Sequence, residues 1–396
     1  MGAQMKRLAA LIIGGRLQGI ELAYLAHEAG WATTLVDRHP RVPASGLVDR
    51  FICADAQDAA VLLPLVAAAD LVLPAVEDRG VLEQLVSYGL QTGTDVVCDL
   101  DAYRLSASKL RSNALFSALG LPLPEPWPGC GLPVIIKPDA LSGSQGVRVA
   151  RTRDELRVAL ESVEGTPVIQ QYLEGRSWSM ELVGNGECFD RLPITEVVCG
   201  ADFDCECIVA PAGLSLDERA QFIRIADTLG DALHIDGIFD IEVISSEGQL
   251  KLLEIDARFP SQTPISVYHA TGINMLELLY RRHTKDGLYV EQDRAQCCLY
   301  QQIEVEAGVL HFVGEHVLAD SEPLRCRKGF FGAEVALTDW QPGSSHWYAI
   351  LVITAANQAE AEQRSLECVS AIRDSQTAGT ASAVSRKRGE PDDTPR

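Results

Sequence analysis

The chain has 396 residues, 47% hydrophobic and 22% charged, which is an ordinary globular composition with room for two or three domains. Its 34 basic and 55 acidic residues leave a formal charge of −21. That excludes the basic face a nucleic-acid binder needs and disfavours anionic membranes. Eleven cysteines are scattered without a C-x-x-C pair, so they read as reduced thiols of a cytoplasmic protein rather than a zinc site. No apolar run approaches the ~20 residues that span a bilayer, and the early stretch Leu8–Ile13 is broken at once by Gly14-Gly15-Arg16.

In chain order, Leu8–Ile13 reads as a buried strand. Gly14-Gly15-Arg16-Leu17-Gln18-Gly19 turns into a helix that stops near Gly30, and Ala32–Val36 is the next strand, ending at Asp37. Ala69–Leu73 and Asp95–Cys98 are two more strands. This alternation predicts a parallel sheet with helices on both faces, a Rossmann-like domain over 1–103. A helix from Ser108 to Leu119 closes at Gly120, and the Pro-rich stretch 121–133 is a linker. From Val134 short β-runs with Gly-containing turns (134–137, 147–150, 238–244, 250–256) predict an α+β region over 104–288. Residues 289–373 form a strand-rich third region, and the tail 374–396 is expected to be disordered.

The strongest chemical signal is the segment Gly237 to Glu242 followed by Leu250 to Arg258. Strand side chains alternate with period two, so Glu254 and Asp256 share a face, Arg258 follows them, and Leu252 sits with them while Leu253 and Ile255 point away. A three-residue loop Ser246-Glu247-Gly248 would pair Ser245 with Gln249, Glu242 with Leu252 and Asp240 with Glu254, bringing Glu242 onto the same face. A two- or four-residue loop would put it on the wrong side. Glu242, Glu254 and Asp256 then suit one or two Mg²⁺ ions (with Mn²⁺ as a substitute), and Arg258 suits a transferring phosphoryl group. The bland alternative is a solvated surface hairpin.

A second signal is Lys137 at the end of an apolar strand, followed by Ser142-Gly143-Ser144-Gln145-Gly146, whose backbone could approach phosphate oxygens; Lys109 is a further cation. Alone, that loop fits a flexible hairpin equally well. A third is Gln170-Gln171-Tyr172-Leu173-Glu174, where backbone groups could pair with an adenine edge, although an ordinary strand end explains it too.

Lys109, Lys137, the loop 142–146, the segment 169–175 and Glu242…Glu254-Ile255-Asp256-Ala257-Arg258 occur in the order and spacing of the ATP-grasp superfamily, which the chain resembles. Within it, Gly14 to Gly19, Asp101-Ala102-Tyr103-Arg104, Asp204-Cys205 and Asp256-Ala257-Arg258-Phe259-Pro260-Ser261-Gln262-Thr263-Pro264 most resemble the 3-methylornithine–lysine ligases of pyrrolysine biosynthesis. The resemblance covers about residues 6 to 290. It departs from the pattern at Gln170-Gln171, where an acidic pair is usual, and at Glu206, where His is expected.

The resemblance implies ATP-dependent formation of an acyl phosphate on (3R)-3-methyl-D-ornithine and its capture by the side-chain amine of L-lysine. Lys137 and Arg258 would be catalytic. Lys109, Lys137, residues 142–146 and 170–174 would hold ATP. Glu181, Asp204, Ser261, Gln262 and Thr263, with Gly14, Gly15, Leu17 and Gln18, would face the amino-acid substrates, although Ser, Gln and Thr also cap loops. A homodimer is expected by analogy. The rivals are another ATP-grasp carboxylate–amine ligase and, more distantly, a nicotinamide-dependent dehydrogenase, whose G-x-G-x-x-G spacing is missing here.

Overall fold

In a computed structural model, residues 7–163, 165–284, 294 and 296–387 are described. The first sheet is built from β1 (Ala9–Ile13), β2 (Ala32–Asp37), β3 (Arg50–Cys53), β4 (Leu71–Pro74) and β5 (Asp95–Val96), all parallel, in the order β3-β2-β1-β4-β5. The helices α1 (Leu17–Glu28), α2 (Ala59–Ala68) and α3 (Arg79–Thr92) connect them. Period two sorts the faces. Ala10 and Ile12 pack with α1, while Leu11 and Ile13 pack with Leu62 and Val66 of α2 and Leu85 of α3. Strand β3 and helices α2 and α3 fill a stretch for which the sequence reading named no elements, and β5 is shorter than expected.

After α4 (Leu100–Ser106), Ser108 caps α5 (Lys109–Ala118) by accepting from the Arg111 amide. A small antiparallel sheet follows, β7-β6-β8, from β6 (Val134–Lys137), β7 (Arg148–Ala150) and β8 (Val168–Gln171), with α6 (Arg153–Glu161) against it. The large sheet begins with β9 (Ser177–Asn185), β10 (Phe189–Arg191), β11 (Thr195–Cys199) and β12 (Cys205–Ala210). After α7 (Leu216–Leu233) come β13 (Asp236–Ser246) and β14 (Gln249–Asp256). Beyond α8 (Thr263–Thr271) and α9 (Met275–Thr284) it continues as β15 (Cys297–Glu306) and β16 (Val309–Phe312). The short α10 (Glu315–Leu318) then precedes β17 (Arg325–Lys328), β18 (Val335–Thr338) and β19 (His346–Ala355). The order is β14-β13-β9-β11-β12-β15-β19-β18-β17, so the strand-rich third region extends the second region's sheet through β12 and β15.

The chain ends in α11 (Gln358–Lys387). The helix therefore runs past Asp374, where a structureless tail was expected. Residues 388–396 lie outside the described ones.

The β13–β14 hairpin corrects the predicted register. Its loop is the two-residue Glu247-Gly248, both at positive φ (54° and 75°), as a type I′ turn requires. Alone, that loop would have turned Glu242 away from Glu254. A β-bulge at Leu253 restores the match: Val243 pairs with Leu252, but Glu242 pairs with Glu254, and Asp240 with Asp256. Leu252 therefore points into the core with Val243, Ile241 and Ile255, against Phe222 and Leu229 of α7, while Leu253 faces the opposite side. The sequence reading had these two leucines reversed, because strict alternation has no way to place a bulge.

The register predicts unequal effects. Leu252→Ala should destabilise by about 2–5 kcal/mol by leaving a core cavity. Leu253→Ala should cost under about 1 kcal/mol. Chemical denaturation of the two variants measures both; the reverse ranking would refute the bulge.

Candidate active site between two sheets

Strand β9 lies beside β13 with Glu181 opposite Asp240 and Ser179 opposite Glu242. Across three strands this gives two rows on one face, Glu181–Asp240–Asp256 and Ser179–Glu242–Glu254. The other face carries Trp178, Met180, Leu182, Phe239 and Ile241 and is sealed by α7 and by Phe116 of α5. One side of the sheet is therefore core, and the other gathers five carboxylates.

Cations answer them from three directions. Lys109 Nζ, at the first turn of α5, pairs with Glu254 Oε2 at 3.0 Å and donates to the Leu141 carbonyl at 2.9 Å. Lys137 closes β6 of the small sheet and lines the same cleft. Arg258 Nη2 pairs with Asp256 Oδ2 at 2.9 Å, and its Nε lies 2.8 Å from Glu77 Oε1. Between the two sheets is a cavity of about 430 Å³. Its lining includes Lys109, Lys137, Ser144, Gln145, Glu242 and Glu254, together with the segment Gln170 to Glu174. Apolar Ile135, Val147, Ile244 and Leu253 line it as well, so it has both the apolar walls and the few placed charges of a nucleotide site.

Comparison with known proteins agrees with this geometry. Residues 106–262 match the ATP-grasp domain family. A 3-methyl-D-ornithine–L-lysine ligase of Methanosarcina barkeri is 37% identical over 314 residues, 78% of this chain and 83% of the relative. Its counterpart from Methanosarcina mazei is 35% identical over 323 residues, with 80% and 83% covered. The chain belongs to the ATP-grasp 3-methyl-D-ornithine–L-lysine ligase family. It is an ATP-dependent carboxylate–amine ligase. Among solved structures, N5-carboxyaminoimidazole ribonucleotide synthetase with ADP matches with a TM-score of 0.70 at 15% identity, covering 94% of this chain and all of that one. The biotin carboxylase domain of a Hydrogenobacter thermophilus 2-oxoglutarate carboxylase, solved with MgADP, gives 0.69 at 15% identity, with 90% and 88% covered. These two matches speak for the fold.

Within the ligase, burial sets the electrostatics. Burial pushes the Glu242 carboxyl up, and the facing Glu254 and Asp256 push it further. Burial would raise Glu254 too, but Lys109 and Lys137 outweigh it and hold that carboxyl well below the usual range. Asp256 is raised by burial and only partly relieved by Arg258. Asp240, at 6% exposure, is raised well above its ordinary range by burial and then by Asp256, and its Oδ1 has no hydrogen-bond partner in the structure. Glu181, fully buried, is pushed up to about 7 by burial, with Ser179 Oγ donating to its Oε1. Among the described residues, no three His, Cys, Asp or Glu side chains converge closely enough to hold a metal ion unaided.

The remaining sequence candidates fall into three groups. In the loop 142–146, Ser144 and Gln145 reach the cavity, but Ser142 Oγ donates to Glu77, Gly143 lies against Glu315 and His316, and Gly146 lies against Pro138. Gly14, Gly15, Leu17 and Gln18 line a second cavity of about 400 Å³ at the carboxyl ends of the first sheet, with Asp37, His39 and Glu77. Ser261 Oγ and Gln262 Nε2 both donate to Glu315 Oε2, at 2.9 and 3.1 Å, while Thr263 opens α8 with its hydroxyl buried and without a hydrogen-bond partner. Asp204, also buried, accepts from the His316 amide and Nδ1. Sequence reasoning did not single out Asp240, Glu77 or Glu315. Asp240 was legible as the partner of Glu242 in the period-two pattern. Glu77 and Glu315 carry no local signal, because they arrive from other parts of the chain.

Glu181 generates a pH prediction. Its folded carboxyl titrates near 7 against an ordinary value of 4.5, so the folded state holds a proton that the unfolded chain has lost. The contribution of Glu181 to stability therefore falls as pH rises from about 4.5 to about 7 and levels above that, by on the order of 3 kcal/mol. Glu181→Gln should flatten this part of the ligand-free profile and be more stable than wild type at pH 8. Thermal melts across pH 5–8 check it; parallel profiles would contradict it.

Proposed function

We propose that this ligase uses ATP to phosphorylate the carboxylate of (3R)-3-methyl-D-ornithine and joins it to the side-chain amine of L-lysine. The products are 3-methyl-D-ornithyl-N6-L-lysine, ADP and phosphate. The observation that carries the reading is the one acidic sheet face, made by Glu242, Glu254 and Asp256, on which Lys109, Lys137 and Arg258 converge. The names of the relatives in the two Methanosarcina species supply the amino-acid pair.

The chemistry follows from the charges. A carboxylate resists amines because oxide is a poor leaving group, and phosphorylation supplies a better one. Lys109 and Lys137 would neutralise the triphosphate, and Arg258 would neutralise the transferring phosphoryl group and the acyl phosphate. The donor set fits Mg²⁺. Glu242 and Glu254 offer hard oxygens directly opposite each other, and Mg²⁺ takes its remaining ligands from phosphate and water. Bound there, Mg²⁺ supplies charge neutralisation at the phosphates. Glu242, which burial and its neighbours hold toward the protonated form, would gain the positive partner it lacks, and Asp256 would complete the set as Arg258 turns to phosphate. Mn²⁺ is expected to substitute. Ser144 and Gln145 would cover the phosphates, and Gln170 to Glu174 would border the adenine. Both substrates carry ammonium groups, and the acidic face at Glu181, with Asp204 and the Ser261-Gln262-Thr263 turn beyond it, suits them.

Incubating the protein with ATP–Mg²⁺, L-lysine and 3-methyl-D-ornithine (or D-ornithine) and weighing the product tests the reading. A mass equal to the two amino acids less one water is expected. ADP release only with a different amino-acid pair would keep the fold and ATP chemistry and overturn the substrates. Arg258→Ala should lower kcat by about 10²–10³-fold, the scale of removing one transition-state partner.

A further inference from the structure

Glu77 stands just past β4, at the carboxyl end of the first sheet, yet it touches four separate parts of the molecule. Its Oε1 lies 2.8 Å from Arg258 Nε and accepts from Gln18 Nε2 at 2.8 Å. Its Oε2 accepts from Ser142 Oγ, at the start of the glycine-containing loop. Its backbone carbonyl accepts from the Tyr103 hydroxyl. The Arg258 Nε–H bond is not aimed along the Glu77 contact, so this is an ion pair rather than a linear hydrogen bond.

The consequence concerns the arginine. Arg258 side-chain exposure is only 16%, and its guanidinium is held by two carboxylates from unrelated elements. Asp256 lies two residues upstream, at the end of β14, so that pair alone leaves the long side chain several rotamers. A second carboxylate, anchored in another sheet, selects one. A planar guanidinium meets phosphoryl oxygens productively only in a fixed orientation. The other carboxylate oxygen of Glu77 holds the loop whose Ser144 and Gln145 line the nucleotide cavity.

We propose that Glu77 is a positioning residue: it orients Arg258 toward the transferring phosphoryl group and tethers the glycine-containing loop over the phosphates through Ser142. The proposal rests on the ATP chemistry proposed above but not on the amino-acid pair.

The test measures affinity for MgADP and for MgADP with aluminium fluoride, a mimic of the transferring phosphoryl group, by calorimetry on the full chain. Neither ligand involves an amino acid, so a wrong substrate assignment leaves both readable, whereas wild type failing to bind MgADP would refute the ATP site itself. Glu77→Gln should weaken the aluminium fluoride complex about tenfold or more, while MgADP stays within about threefold. Glu77→Asp, which keeps the charge, should recover part of the loss, and Ser142→Ala should show a smaller loss in the same direction. Equal weakening of both ligands, as a merely structural role would give, overturns the proposal. So does a Glu77→Gln protein that binds both as wild type does.

Discussion

Like charges set directly opposite one another on a buried sheet face repel, and the cleft of this ligase is organised around that repulsion. Glu242 faces Glu254, and Asp240 faces both Glu181 and Asp256, on a surface that water reaches poorly. A sheet tolerates such rows only where positive charge compensates them. Lys109 comes from a helix start, Lys137 from the neighbouring small sheet, and Arg258 from the continuation of β14 itself. Three cations delivered by three elements make the acidic face affordable. They also leave it responsive, because a divalent ion can pair with the carboxylates while a triphosphate takes over part of the lysine and arginine pairing.

The large sheet serves this arrangement. Its far strands, β15 to β19, carry no member of the charged constellation, but they seat α10, whose Glu315 receives Ser261 and Gln262 from the turn after Arg258. The first sheet supplies Glu77 to the same arginine. The site is thus closed by parts of the chain nearly 240 residues apart in sequence, Glu77 at one end and Glu315 at the other. Shared fold with ADP-binding synthetases and carboxylases at 15% identity is what such a frame would give, since the frame is set by burial pattern and the pocket by a few polar side chains.

Much of this was legible from residue order. The alternation Glu254-x-Asp256-x-Arg258, the lysine ending an apolar strand and the Gly-rich turns mark the ATP-grasp frame without coordinates. Two things were hidden. The hairpin register was one, because a two-residue loop and a bulge at Leu253 cancel, and period-two counting recognises neither. The result put the acids on their common face, but it paired Glu242 and Asp240 with the wrong residues and reversed Leu252 and Leu253. The other was any contact made across the fold. The contacts of Ser261 and Gln262 with Glu315 carry no local signal, and Glu77 looked like nothing, because only the folded chain brings it to Arg258. Helix α11 beyond Asp374 was missed because Ser, Thr and Gly379 dominate that stretch and local propensity does not favour a helix there.

The most direct measurement is the position of a Mn²⁺ ion, located by its anomalous scattering in crystals grown with a non-hydrolysable ATP analogue. Mn²⁺ is expected about 2.0–2.3 Å from carboxylate oxygens of Glu242 and Glu254, with Lys109 moved from Glu254 to a phosphate oxygen. An ion bound elsewhere, with the Lys109–Glu254 pair intact beside an occupied nucleotide cavity, would contradict that assignment.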